Sequence, residues 1–125
     1  MKEIVTPPGT SPALPFSAGI KVGNLLFTSG YAGLDASGNV PGPDIESQAR
    51  QCFASLGQVL AEAGSDWSKV VKVTCFLTHP ERDLQGWNKV FTEFFPSNPP
   101  ARSTVGCRLL NPAWLIEVEL IAVVD

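Results

Sequence analysis

Histidine is nearly absent from this chain: there is one, His79, and it stands next to Pro80. A Ser-His-Asp triad would hang on that single junction position, and an imidazole metal site would lack partners. Charge is also scarce, at 17% of residues, and the nine Lys and Arg form no basic block. With a formal net charge of −3 and a pI near 5.0, the electrostatic grip that nucleic acid demands is missing. The three cysteines, Cys52, Cys75 and Cys107, are odd in number and widely spaced, with no CxxC pair. They read as reduced thiols in a core rather than as a zinc or redox motif. No run approaches the roughly eighteen apolar residues of a membrane span. The opening Met1 to Pro8 lacks the apolar stretch of a secretory leader, so the cytoplasm is the expected compartment. Gly30, Gly33 and Gly38 are not followed by the Lys-Ser/Thr pair of a phosphate loop and read as turn or bulge glycines.

What is present fits one domain spanning 1–125, with 44% hydrophobic residues and enough chain to bury roughly two-thirds of its unfolded surface. So few charged side chains cannot cover that surface evenly, and a homo-oligomeric interface is expected.

The first fifteen residues, rich in proline, read as an irregular entry. Ala18 to Val22 and Leu25 to Ser29 read as strands joined in a hairpin at Gly23-Asn24. Gly30, inside a strand pattern that resumes at Tyr31, hints at a bulge or a close backbone approach. From Asp44, a candidate N-cap, Ile45, Ala49, Cys52, Phe53, Leu56, Val59, Leu60 and Ala63 recur at helical spacing up to Gly64, a candidate C′ residue. Val70 to Leu77, apolar on both faces, reads as a central strand. A second helix carries the stripe Leu84, Trp87, Asn88, Phe91, Phe94 and Phe95 and is stopped by Pro96. Two strands close the chain. Two helices on one face of a mixed sheet, an α+β arrangement, is the economical packing. In the last strand Ile116, Val118, Leu120, Ala122 and Val124 should meet the helices. The opposite face, with Leu115, Glu117, Glu119, Ile121 and Val123, is too apolar for water and is expected to pack on another subunit.

Arg102, Glu117 and Glu119 are the charges that need a reason in these apolar strands. The two last strands are expected to pair antiparallel through the Arg108 to Ala113 turn, in a register that sets Thr104 opposite Glu117 and Arg102 opposite Glu119, all on the face away from the helices. Two readings follow. One is a buried Arg-Glu pair serving only an interface. The other is a carboxylate-binding arginine beside a glutamate that activates water. Cys107 should point away from Thr104, into the core.

The chain resembles the RidA/YjgF (Rid, L-PSP) family of enamine and imine deaminases. The likeness rests on Pro15-Phe16-Ser17, Thr28-Ser29-Gly30, Gln48-Ala49-Arg50-Gln51, Trp87 to Phe95, Pro99 to Thr104, and Ile116 to Val123. It implies a chorismate-mutase-like (bacillus-type) fold, a mixed six-stranded sheet with two helices on one face. It also implies homotrimers with active sites in intersubunit clefts, and no cofactor or metal. The implied substrates are small 2-imino or enamine acids such as 2-aminoacrylate, hydrolysed to 2-oxo acids and ammonia, with neither nucleic acid nor membrane as partner. By the same resemblance Arg102 binds the substrate carboxylate, Glu117 holds the attacking water, Thr104 helps place the substrate nitrogen, and Phe16, Ser29 and Asn88 line the cleft. Phe16 stands where many members have tyrosine, Thr104 where many have cysteine, and Tyr31 where many have glutamine. A second reading is a non-catalytic, small-carboxylate-binding or regulatory protein of the same fold.

Overall fold

Asp44 begins the longest helix by accepting a 3.0 Å hydrogen bond from the Ser47 N–H, which satisfies one of the donors left free at a helix start. In the computed structural model, which describes all 125 residues, this helix, α1, spans Ile45–Glu62. It ends as expected at Gly64, whose φ of 79° is the left-handed conformation glycine adopts without strain. Ser65 and Gly64 donate back to the Leu60 and Ala61 carbonyls, at 2.8 and 3.1 Å, closing the helix in a Schellman-type turn. The expected apolar stripe is buried from Ala49 to Ala63.

The second helix, α2, spans Pro80–Phe94, with proline in its first turn, where the missing N–H is no loss. Its stripe is narrower than the sequence suggests: Trp87 and Phe91 are buried, whereas Leu84 and Asn88 are exposed. His79 precedes the helix but makes no capping hydrogen bond through its side chain. The two helices pack through a ring cluster in which Phe53 of α1 lies 4.5 Å from Phe94 and 5.5 Å, stacked, from Trp87. Such offset and edge contacts hold aromatic pairs beyond their area burial. At Gly86 a Cβ would come within 2.5 Å of Ile45, so the absence of a side chain there lets the helices approach.

Under the helices lies one mixed sheet of seven strands, β1 (Lys2–Val5), β2 (Gly19–Val22), β3 (Leu25–Thr28), β4 (Tyr31–Ala32), β5 (Val70–Leu77), β6 (Ala101–Gly106) and β7 (Ile116–Val123). Its order is β1-β2-β3-β7-β5-β6, with β4 on β7 beyond the end of β3. The hairpin at Gly23-Asn24 is present. Seven strands replace the expected six. Residues 2–5, taken with the irregular entry, instead pair antiparallel with β2, and the prolines begin only after this strand.

The larger correction concerns β6. It pairs with β5, in parallel, while β7 pairs antiparallel with the other edge of β5. The last two strands are therefore not neighbours. The segment β5-α2-β6 is a strand-helix-strand crossover, which brings its second strand back parallel to the first. Residues 107–115 then carry the chain over β5 to β7. The helix-facing side of β7 is as expected, with Ile116, Val118, Leu120 and Ala122 at most 2% exposed.

A single buried polar side chain ties these layers. Gln48 of α1, fully buried, donates to the Gly42 and Ala113 carbonyls at 2.9 and 3.2 Å and accepts from the Leu115 N–H at 2.9 Å. Its backbone also touches Gly33, where a Cβ would fall 2.9 Å from Gln48 Cα. Replacing Gln48 by leucine would leave buried backbone groups without partners, each costing about 1–3 kcal/mol. Urea unfolding of Gln48→Leu at fixed protein concentration should show a midpoint lowered to match.

Candidate active site

Strand parity decides which charged groups can meet. Residues paired across neighbouring strands share a face. Arg102 is paired with Val73, which is paired with Leu120, and both of these are buried under the helices. Arg102 therefore lies on the helix side of the sheet, at its β6 edge. Its guanidinium carbon sits 4.8 Å from the Phe91 ring centre and 5.8 Å from that of Trp87, a cation–π arrangement. Thr104 shares this side, paired with Cys75. Its hydroxyl is buried and has no hydrogen-bond partner, as is the Trp87 indole N–H.

Glu117, by contrast, is paired with Phe76 and Glu119 with Thr74, on the open side of the sheet. The expectation that Arg102, Thr104 and Glu117 share a face is thus wrong by one strand, because β5 stands between β6 and β7. Neither Arg102 nor Glu117 belongs to any of the chain's ion pairs, so a buried Arg-Glu pair within one chain is excluded.

The open side has its own architecture around Glu117. From the Phe27–Ile121 pair to the Tyr31–Val118 pair the chain advances four residues on one side and three on the other, which is a bulge at Thr28-Ser29-Gly30. The Thr28 hydroxyl fills the gap by accepting from the Leu120 N–H at 3.0 Å. Gly30 then lies against the Glu117 carboxylate: a Cβ there would collide with Oε2 and stand 3.0 Å from Cδ. Both suggestions of the sequence for Gly30, a bulge and a close approach, hold. Ser29 donates its hydroxyl to the Ser17 carbonyl at 2.6 Å, which anchors the segment carrying exposed Phe16 beside this bulge.

Glu117 is half-buried and its carboxyl holds its proton above the ordinary 4.5, first because of burial and then because of the Glu119 charge. It borders an open cleft of about 300 Å³ that is also lined by Phe76, Cys107, Arg108, Leu109 and Leu110. Cys107 is exposed, not core as parity along the strand suggested, because β6 ends at Gly106. Only Cys52 and Cys75 are buried thiols, pushed well above the ordinary thiol value mainly by desolvation. The position of Arg108 on this cleft is not legible in the sequence, since a loop has no periodicity to reveal which way a residue faces. The residues that the sequence suggests for a site thus fall apart, with Glu117 on the open side beside the bulge that holds Ser29, Arg102 and Thr104 on the helix side, Phe16 exposed in the loop before β2, and exposed Asn88 one turn from Phe91 on α2.

The profile of the family described as Endoribonuclease L-PSP matches residues 8–124. A 2-iminobutanoate/2-iminopropanoate deaminase of Dermatophagoides farinae is 38% identical, over 98% of this chain and 95% of that protein. A Lactococcus lactis protein whose name marks it as a candidate regulator, AldR, is also 38% identical, over 98% and 97%. Among solved structures, the Rid-family protein YyfA of Yersinia pestis superposes with a TM-score of 0.88 at 32% identity, over 99% of this chain and all of that one. Yeast Mmf1 does so with a TM-score of 0.87 at 28% identity over the whole of both chains. The chain belongs to the L-PSP family, which includes the Rid and YjgF proteins.

Two outcomes follow from the seat of Glu117. The raised proton affinity means that the folded chain binds more protons than the unfolded one between 4.5 and the shifted value, so this residue makes stability fall as pH rises through that window. Glu117→Gln should therefore be more stable than the parent at pH 7 and lose that advantage below pH 4.5, as read by urea midpoints across pH. Gly30→Ala should displace the carboxylate and lower ligand affinity or turnover as Glu117→Ala does, while leaving the circular dichroism spectrum native.

Proposed function

We propose that this protein hydrolyses reactive 2-imino and enamine acids to 2-oxo acids and ammonia, in a site completed by two copies of the chain. The observation that carries the reading is the separation of Arg102 and Glu117 onto opposite faces of one sheet. Each is a functional group without a charged partner of its own, and each lies at a surface another copy can reach: Arg102 at the unpaired β6 edge, Glu117 on the open face. That open face also exposes Ile4, Val22, Phe27 and Val105, more apolar surface than a lone subunit usually leaves to water. We infer a cyclic homotrimer, in which the same contact repeats around a closed ring and supplies one Arg102–Glu117 cleft per interface.

The chemistry suits such a pair. The guanidinium fork holds the substrate carboxylate bidentately, fixing the imine carbon near Glu117. Glu117 takes a proton from a water molecule as the water oxygen bonds to that carbon, the C=N electron pair moves to nitrogen, and Glu117 hands that proton to the nitrogen. Glu117 then takes the proton of the new hydroxyl and delivers it to the amine as the C–N bond breaks, so that ammonia leaves and the carbonyl forms. A carboxyl whose proton affinity is raised by burial is better matched to both transfers near neutral pH than an ordinary one. Thr104, with its unpartnered hydroxyl beside Arg102, is assigned to the substrate nitrogen, and Phe16, Ser29 and Asn88 to the walls of the cleft. The cytoplasm, whose reducing conditions suit three free thiols, is the compartment this reading assumes. The acidic balance of the chain favours a small anionic substrate held locally by arginine over nucleic acid.

The alternative, a carboxylate-binding regulator, is favoured by Phe16 and Thr104, which lack the hydroxyl and thiol that many family members carry there, and by the name of the Lactococcus relative. Turnover separates the two. With 2-aminoacrylate generated in situ and 2-oxo acid release followed against semicarbazide trapping, Glu117→Gln should lower the rate by about 10²- to 10⁴-fold, the usual range for a positioned base. Arg102→Ala should abolish it. Mixing and reassembling those two inactive variants in equal amounts should restore about a quarter of the parental activity, since in a randomly mixed ring that share of interfaces joins an intact Arg102 to an intact Glu117. No recovery after verified subunit exchange would place both residues' function within one chain, and saturable 2-oxo acid binding without any turnover would favour the regulator.

A further inference from the structure

Four arginines are present, and three are accounted for by what they touch. Arg50 is forked onto Glu93, Arg82 onto Asp83, and Arg102 lies over the Phe91 and Trp87 rings. Arg108 has neither a carboxylate nor a ring partner. It faces the cleft that Glu117 borders, between the apolar walls Phe76, Leu109 and Leu110. Neither Arg108 nor Glu117 takes part in an ion pair, so the two groups border one cleft without being paired across it.

The backbone that presents Arg108 is held at both ends. Cys107 donates its N–H to the Leu77 carbonyl at 3.0 Å. Asn111 accepts from Ala113 at 2.9 Å through its side chain and from Trp114 at 3.0 Å through its carbonyl. Gln48 clamps Ala113 and Leu115. The loop backbone is thus fixed while the Arg108 side chain is exposed, which leaves its planar guanidinium free to fork onto an anion that enters the cleft.

We propose that Arg108 is a specificity residue that takes a second carboxylate, so that the favoured substrates are imines of dicarboxylic 2-amino acids. This rests on the deaminase reading of the same cleft. The 2-carboxylate lies on Arg102 of the adjoining copy, the imine carbon faces Glu117, and the distal carboxylate reaches Arg108. The hydrolysis is the one already described, with water as the only co-reactant. A monocarboxylic imine uses the same first two contacts and leaves Arg108 without a partner, so discrimination comes from one charge-assisted fork and should amount to about tenfold or more.

The test compares 2-iminosuccinate or 2-iminoglutarate with 2-iminobutanoate, each generated in situ by an amino-acid oxidase, on the parent, Arg108→Ala and Arg108→Lys. The parent should favour the dicarboxylic imines in kcat/KM. Arg108→Ala should lower kcat/KM for them at least tenfold more than for 2-iminobutanoate, mainly through KM, and Arg108→Lys should recover part of the difference at an unchanged oligomer mass. A parent without that preference, an equal loss on both classes, or a changed oligomer mass in Arg108→Ala would overturn the assignment. A parent that hydrolyses neither class would refute the deaminase reading instead. The role of Arg108 is then read from calorimetry: tighter binding of 2-oxoglutarate than of 2-oxobutanoate that Arg108→Ala abolishes supports it, and no such difference overturns it.

Discussion

Everything distinctive about this molecule depends on one strand standing between two others. β5 receives β6 on one edge and β7 on the other, and the alternation of side chains along a pleated strand then assigns each charged residue to a face with no freedom left. Had β6 and β7 been neighbours, a register was available that joined Arg102 to the glutamates. With β5 interposed, Arg102 shares its row with Val73 and Leu120, and Glu117 shares its row with Phe76. No adjustment of rotamers brings a group through the sheet.

The same sheet shows how a carboxylate is kept half-buried and without a cation. A charged group on an apolar strand tends to find a cation or to be driven into water. At Glu117 the bulge at Thr28-Ser29-Gly30 does neither. It removes the side chain that would crowd the carboxylate and leaves Glu119 close enough to raise its proton affinity. The loss of regular pairing is made good locally by the Thr28 hydroxyl, so the bulge does not leave the Leu120 N–H orphaned. Gln48 does the corresponding work for the segment that leads into β7, satisfying three backbone groups with one buried amide. A buried amide with every group paired favours one arrangement of the chain over its near alternatives.

Much of this is legible in the residues, and the division is physical. The limits of α1, the hairpin at Gly23-Asn24, the helix-facing row of β7 and the special role of Gly30 are all local signals, written in capping residues, turn residues and alternation within a few positions. The place of β6 is not local. It depends on which edge of β5 the chain returns to after α2, and the tempting short connection to β7 hides that choice. The information was nonetheless present: a strand, a helix and a strand in succession over Val70–Gly106 is the pattern of a parallel crossover. Lys2–Val5 was hidden for another reason, since only Val5 of its four residues is buried and an exposed edge strand carries little hydrophobic pattern. Arg108 and Cys107 lie where the backbone leaves the sheet, and side-chain direction there follows from hydrogen bonds to Leu77 and Gln48 that only the folded chain reveals.

The two faces of the sheet have a kinetic corollary. If competence requires the edge of one copy against the open face of another, a newly folded subunit is inert, and the protein's working fraction follows the law of mass action in its own concentration. Dilution then silences it without denaturing anything, and its level of synthesis sets how much active protein there is more steeply than in direct proportion.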